Sequence, residues 1–346
     1  MAEDMPGGHP TPAEYALIQA EVERNLLGGA VKYTRGQATA AAGVPLERAQ
    51  RLWVAMGFAV DSNPDTPMFT DADVDALRTI TSLVDMGIID PELEVPVTRA
   101  LGQSFARLAE WQLGLLNSHI LDRVKLAGGS DQVDVLAVAA QATLVAEQML
   151  PALEKLQSYV WRRHLASNAA RFLDSAGDGS DSRTLVIGFA DMVGYTSLTR
   201  RIDIDELTRL LEDFESTAMT VINQGRGWVI KNLGDEVMFA VEDPADAARI
   251  ALALQDAALA TVDLPALRVG LAMGPVLLRF GDVYGSVVNI AARLTSSARP
   301  GAVLVDATLA TALEGDDDLQ LRSLRSLRVR GFSRLKAYAL RRARDT

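Results

Sequence analysis

The chain has 346 residues, 49% of them hydrophobic, with 34 Lys/Arg against 45 Asp/Glu, three histidines and no cysteine. This length and apolar content bury a full core and suit two domains, while the missing cysteines exclude disulfides and thiolate ligands and fit a reducing compartment. No run of about 18 apolar residues occurs, and the opening MAEDMPGGHP lacks the basic-then-apolar pattern of a secretory signal, so a cytoplasmic protein without a membrane span is expected.

The net charge of −11 is unevenly spread. Residues 1–182 hold 14 basic and 24 acidic side chains, a balance of −10, whereas residues 183–346 hold 20 and 21, a balance of −1. An acidic half repels nucleic acid and anionic lipid over roughly a Debye length, about 10 Å. No nucleic-acid partner is therefore expected, and a site for a polyanion belongs in the second half.

From residue 11 to 173 apolar residues recur at helical spacing, as in FARLAEWQLGLLNSHILDRV, so residues 1–173 are predicted to form an all-α domain. Within it YTRGQATAAAGVPLERAQRLWVAMGFA, residues 33–59, reads as two short helices joined at Gly43, with Thr34 as cap and Pro45 at the second start. Such a pair fits a DNA-reading helix-turn-helix, or a hairpin packed through Ala41, Val44, Leu46, Leu52 and Trp53. The acidic surroundings favour the packed hairpin, because specific DNA readers gather basic charge. DSAGDGSDSR, residues 174–183, has the composition of a linker. Residues 184–346 alternate strand-like and helix-like runs in the order strand, helix, hairpin, helix, strand. That order predicts an α+β domain of ferredoxin-like βαββαβ type, with helices on one face of a sheet.

The chemistry concentrates in this second part. In VIGFADMVGYTSLT, residues 186–199, an apolar strand ends on Asp191 and turns through Gly194 into a helix; an unpaired carboxylate there is costly to bury, and a metal ion would justify it. In GRGWVIKNLGDEVMFAV, residues 225–241, the turn NLGD puts Asp235 at a hairpin tip. If that hairpin lies beside the first strand, the two carboxylates converge and form a hard oxygen site suited to Mg²⁺ or Mn²⁺. The main chain of Gly194, Tyr195 and Thr196 would then face phosphate at a helix start.

Three ordered motifs, FADMVGYT, KNLGDEVMF and GDVYGSVVNIAARL at residues 281–294, resemble those of class III nucleotidyl cyclases. The resemblance covers residues 184–340 and implies conversion of ATP or GTP to the 3′,5′-cyclic monophosphate. It implies two divalent cations held by Asp191, Asp235 and the Met192 carbonyl, purine recognition by Lys231 and Asp282, and orientation of ribose and transition state by Asn289 and Arg293. Asn289 and Arg293 are four apart, so a helix places both on one face. A lysine ammonium and an aspartate carboxylate complement N1 and N6 of adenine, favouring ATP. The resemblance further implies a homodimer in which each chain completes its partner's site. A basic residue near the end, Arg330 ahead of Arg334 and Lys336, is expected to hold the terminal phosphates.

The helical half resembles amino-terminal regulatory domains of actinobacterial cyclases, some of which respond to pH. Residues 157–173 lead into the linker and are expected to act as a switch. His164 within them, with His119 as a second candidate, is the expected pH-responsive group, histidine being the residue type whose charge changes near neutrality. Two further readings are a hydrophobic ligand in the helical half and a DNA-binding regulator whose cyclase-like domain only senses nucleotides.

Overall fold

The computed structural model describes residues 23–58, 62–128, 135–175, 182–325, 327–329 and 332–343, without the side chains of 116–147, 170–175, 328–329 and 332–334. The chain divides into two compact units, residues 1–177 and 178–346.

In the first unit α1 (Arg35–Ala42), α2 (Leu46–Met56) and α3 (Asp71–Asp85) precede two long helices, α4 (Glu94–Gly128) and α5 (Val135–Ser175). The Thr34 hydroxyl accepts the Gln37 N–H while the Gln37 side chain accepts the Thr34 N–H, a reciprocal cap that starts α1. Gly43 ends α1 at φ 73°, a left-handed turn open to glycine without strain. Ala38, Val44, Ala49, Leu52, Trp53, Phe69, Val74 and Leu77 form the core of this hairpin and α3. The Trp53 and Phe69 rings stack with centroids 4.2 Å apart. Val44, Leu52 and Trp53 are buried as expected, but Leu46 is 41% exposed and Ala41 also faces outward. The small side chains of Ala38 and Ala49 take their place, because they let neighbouring helices approach more closely.

α4 packs against α2. Arg48 donates from Nε and Nη2 to Glu94 Oε1 at 3.0 and 2.6 Å, and a Cβ on Gly102 would lie 2.5 Å from the Met56 carbonyl oxygen. Glycine is thus required where α4 crosses the end of α2. Residues 157–173 lie inside α5, which is helical from Val135 to Ser175 and contains Pro151.

In the second unit the elements run β1 (Ser182–Met192), α6 (Tyr195–Leu198), α7 (Ile204–Gln224), β2 (Trp228–Asn232), β3 (Glu236–Val241), α8 (Pro244–Ala260), β4 (Leu267–Arg279), β5 (Asp282–Tyr284), α9 (Ser286–Ser297), β6 (Val303–Asp306), α10 (Ala307–Ala312), β7 (Leu319–Ser323), β8 (Leu327–Val329), β9 (Phe332–Leu335) and β10 (Ala337–Arg342). The main sheet has the order β2-β3-β1-β4-β6-β10-β7, with β5 paired to β4. β1 is central and antiparallel to both β3 and β4, so the βαββαβ expectation holds. Of residues 174–183, expected as a linker, 174–175 belong to α5 and 182–183 to β1, because helix and ladder hydrogen bonds satisfy the backbone of polar residues as readily as of apolar ones.

The expectation of helices on one face does not hold. Val186, Ala190 and Met192 of β1 join α7 and α8 in one core cluster. Leu185, Ile187 and Phe189 join Val287, Ala291 and Leu294 of α9 in a second. Successive strand side chains point to opposite faces, and six consecutive buried residues, 185–190, therefore need cover on both. Each fully buried Leu, Ile or Phe contributes about 1.5–3 kcal/mol, so this two-sided burial makes β1 a rigid base for the residues at its exit.

Candidate active site

The sheet delivers its acidic residues to the exit of β1. Register places Asp191 opposite Glu236 of β3 and opposite Arg268 of β4. Gly234, at φ 76°, shapes the β2–β3 turn, and the Asp235 carbonyl accepts the Met192 N–H at 2.9 Å. The structure thus brings Asp191, Met192 and Asp235 together as expected, with two neighbours that sequence reading missed.

The first is Arg268. Its Nη2 donates to Asp191 Oδ2, the two side chains being 31% and 15% exposed. Its Nε is buried without a hydrogen-bond partner among the described residues. The second is Glu236, whose carboxyl is pushed up to about 7, first by burial and then by the charges of Asp191 and Asp235, with Arg268 pulling the other way. Asp191 is also raised, chiefly by burial, against the opposing hydrogen bond and charge of Arg268. Burial first, and neighbouring carboxylates second, thus disfavour charge on these groups, a cost that a divalent cation would relieve.

Oxygen donors of this kind fit a hard divalent cation. Among the described residues no group of three or more His, Asp or Glu side chains is placed to hold a metal, which disfavours an all-protein cage. Two carboxylates and a main-chain oxygen suit a cation that keeps several waters and takes the rest of its ligands from phosphates.

A second grouping lies on β2 and β5. Lys231 Nζ donates to Asp282 Oδ1 at 2.9 Å and to Oδ2 at 2.8 Å, and the Val283 N–H donates to Oδ1 at 2.9 Å. Burial raises the Asp282 carboxyl, but the Lys231 and Val283 hydrogen bonds outweigh it and leave the carboxyl lowered. A bulge between Val229 and Lys231 shifts the β2 register just before the lysine; such irregularities re-aim side chains. After β5 the chain turns through Gly285, at φ 153° and with its Cβ position 3.1 Å from the Pro275 carbonyl oxygen. On α9 Asn289 and Arg293 are both exposed while Val287, Ala291 and Leu294 are buried, the one-face arrangement expected from their spacing.

Other expected residues are placed as follows. Gly194 is left-handed at φ 79° before the four-residue α6, and its carbonyl accepts the Ser197 and Leu198 N–H groups. Tyr195 packs against the α7/α8 core and Thr196 is exposed. Arg330 and the His119 side chain lie outside the described residues, and His164 is exposed on α5. Arg268 in LRVGLAMG and Glu236 in GDEV did carry a signal: each is a charge at the start of an apolar run.

Both units match known protein families. Residues 180–342 match the adenylate and guanylate cyclase catalytic domain, and residues 13–165 match the adenylate cyclase regulatory domain. The chain is 42% identical over 299 residues to an adenylate cyclase of Streptomyces coelicolor, covering 86% of this chain and 75% of that protein. It is 34% identical over 345 residues to an adenylate cyclase of Glutamicibacter nicotianae, covering 95% and 84%, and 30% identical over 277 residues to a pH-sensitive adenylate cyclase of Mycobacterium tuberculosis, covering 78% and 67%. With its motifs on the expected strands and turns and its similarity running through both units, this chain belongs to the class III nucleotidyl cyclases, in the group that carries an adenylate cyclase regulatory domain ahead of the catalytic one.

Proposed function

We propose that the protein converts ATP to 3′,5′-cyclic AMP and pyrophosphate at two sites shared across a homodimer. The observation that carries this reading is the division of the chemistry within one chain: Asp191 and Asp235 at the exit of β1, and a Lys231–Asp282 pair on β2 and β5 leading into α9. Asp191, Asp235 and the Met192 carbonyl would hold two divalent cations, Mg²⁺ or Mn²⁺, which when bound lower the pKa of the ribose 3′-hydroxyl and neutralise the departing pyrophosphate. Lys231 and Asp282 exchange their mutual hydrogen bonds for adenine N1 and N6. Asn289 orients the ribose so that its 3′-oxygen faces the α-phosphorus. Arg293 meets the charge that grows on the α-phosphoryl oxygens as the new P–O bond forms and the bond to pyrophosphate breaks. The main chain of Gly194 to Thr196 and Arg330 are assigned to the remaining phosphates.

Residues 1–173 are assigned to control, with 157–173 as the switch. The name of the pH-sensitive relative supports a response to pH; His164 and His119 are assigned as the groups that respond. A ligand of the first unit is assigned to the groove of ≈ 600 Å³ between α2 and α4, where Val54, Ala55 and Val95 lie beside Arg51 and Arg99. A cytoplasmic location accords with the finding that no helix among the described residues is long and apolar enough to cross a membrane.

The test mixes two inactive variants of the full chain. Asp191→Ala and Arg293→Ala chains each destroy both sites of their own homodimer, whereas a mixed dimer keeps one intact site. Cyclic AMP formation that returns on mixing supports the shared site. Two variants that stay inactive together, while shown to associate, refute it. Asp191→Ala chains that retain full turnover refute cyclase chemistry at this site.

A further inference from the structure

We propose that the Arg268 guanidinium is the resident counter-ion of Asp191, which a divalent cation must displace, so that Arg268 sets how weakly the protein takes up a metal ion that arrives alone. The inference rests on the reading of Asp191 and Asp235 as metal ligands. Arg268 is not a surface residue that wandered to a carboxylate: the β1–β4 ladder holds it opposite Asp191, its Nη2 contacts Oδ2, and Val269, the next residue, is fully buried. Among the described residues its Nε is buried and unpartnered and only Nη2 donates to Asp191, so the pair lacks the two parallel bonds of the strongest pairs.

An arginine cannot shed its charge. A guanidinium and a divalent cation on one carboxylate repel at contact distance, where Coulomb interactions are largest and salt screens partly buried groups least. Cation binding at Asp191 therefore requires Arg268 to turn away. A cation that arrives alone leaves that guanidinium facing like charge. A cation that arrives with an anion gives it a new partner. The same residue would thus disfavour bare metal while tolerating a metal–polyphosphate complex. A purely structural arginine predicts something different, namely that its removal leaves metal affinity unchanged or weakens it.

The experiment measures Mn²⁺ binding to the full chain by electron paramagnetic resonance, first without nucleotide. Arg268→Gln is expected to tighten Mn²⁺ binding about tenfold, within the range seen when groups around metal ligands are changed. Arg268→Met, which keeps the aliphatic stem, provides a second arm should the glutamine variant fail to fold. Arg268→Lys keeps the charge and is expected to stay within about threefold of the parent. With 3′-deoxy-ATP, which cannot cyclise, the advantage of the neutral variants is expected to vanish. Neutral variants that bind bare Mn²⁺ no better than the parent overturn the proposal, as does an Arg268→Lys variant that gains as much as Arg268→Gln. Asp191→Ala is the separate control: if it binds Mn²⁺ as well as the parent, the metal-site reading fails instead.

Discussion

Substituting Gly270 by alanine tests whether the position of α9 governs the chemistry. Gly270 lies on β4 two residues after Arg268, opposite Phe189, which lies on β1 two residues before Asp191. A Cβ there would sit 2.3 Å from the Thr295 backbone nitrogen, 2.5 Å from Thr295 Oγ1 and 2.6 Å from the Ala291 carbonyl oxygen. Two of these atoms belong to the backbone of α9 and cannot swing aside. Ordinary contact begins near 3.4 Å, so the helix must retreat by about 1 Å. Asn289 and Arg293 ride on that helix while Asp191 stays with β1. Overpacking of this kind costs about 1–3 kcal/mol of stability, and a displacement of about 1 Å in a catalytic group costs on the order of 10²-fold in turnover. The assay follows cyclic AMP formation at saturating ATP alongside thermal unfolding. Gly225→Ala is the control, since its Cβ would meet the buried Ile250 side chain at 2.2 Å, on the α7/α8 side and away from α9. It is expected to lose stability but keep kcat within about threefold. If Gly270→Ala keeps its kcat as well as the control does, the placement of α9 does not set the rate.

Three further outcomes are expected. Glu236, raised to about 7 from its ordinary 4.5, binds a proton in the folded state that the unfolded chain has released, so parental stability falls as pH rises from about 4.5 to 7; in metal-free buffer Glu236→Gln should match the parent near pH 4.5 and exceed it at pH 8 by about 1 kcal/mol after allowance for solvent screening, and parallel pH curves would refute the assignment. Lys231→Met should lower kcat/KM for ATP by roughly 10- to 100-fold and narrow the preference over GTP, which competition between the two nucleotides measures. Arg48→Ala strands the Glu94 carboxylate, 8% exposed, and should cost about 3–5 kcal/mol in denaturant titration, whereas Arg48→Met with Glu94→Leu should recover most of it.

Local features of the sequence carried much of the architecture. The capping pair Thr34 and Gln37, the left-handed Gly43, the 3.6-residue period of the long helices and the four-residue spacing of Asn289 and Arg293 act within one or two turns of chain, where propensity and hydrogen-bond geometry decide. The NLGD turn likewise announced Asp235 at a hairpin tip. Contacts between distant segments were less legible. Lys231 and Asp282 are 51 residues apart, and their bidentate pairing depends on β5 folding back on β4 and on a bulge in β2. The packing of α9 on the face opposite α7 and α8 was missed because a fully apolar strand does not show which helix covers which side.

The sequence by itself determined that an apolar strand ends on a carboxylate, that a second carboxylate sits in a tight turn, and that the charge of the chain lies in its helical half, since these follow from residue order and composition. Only the tertiary structure decided that Arg268 and Glu236 stand opposite Asp191, because strand neighbours are chosen by long-range pairing and by burial on both faces of the sheet, and a shift of one residue in that register would turn each of these side chains to the other side.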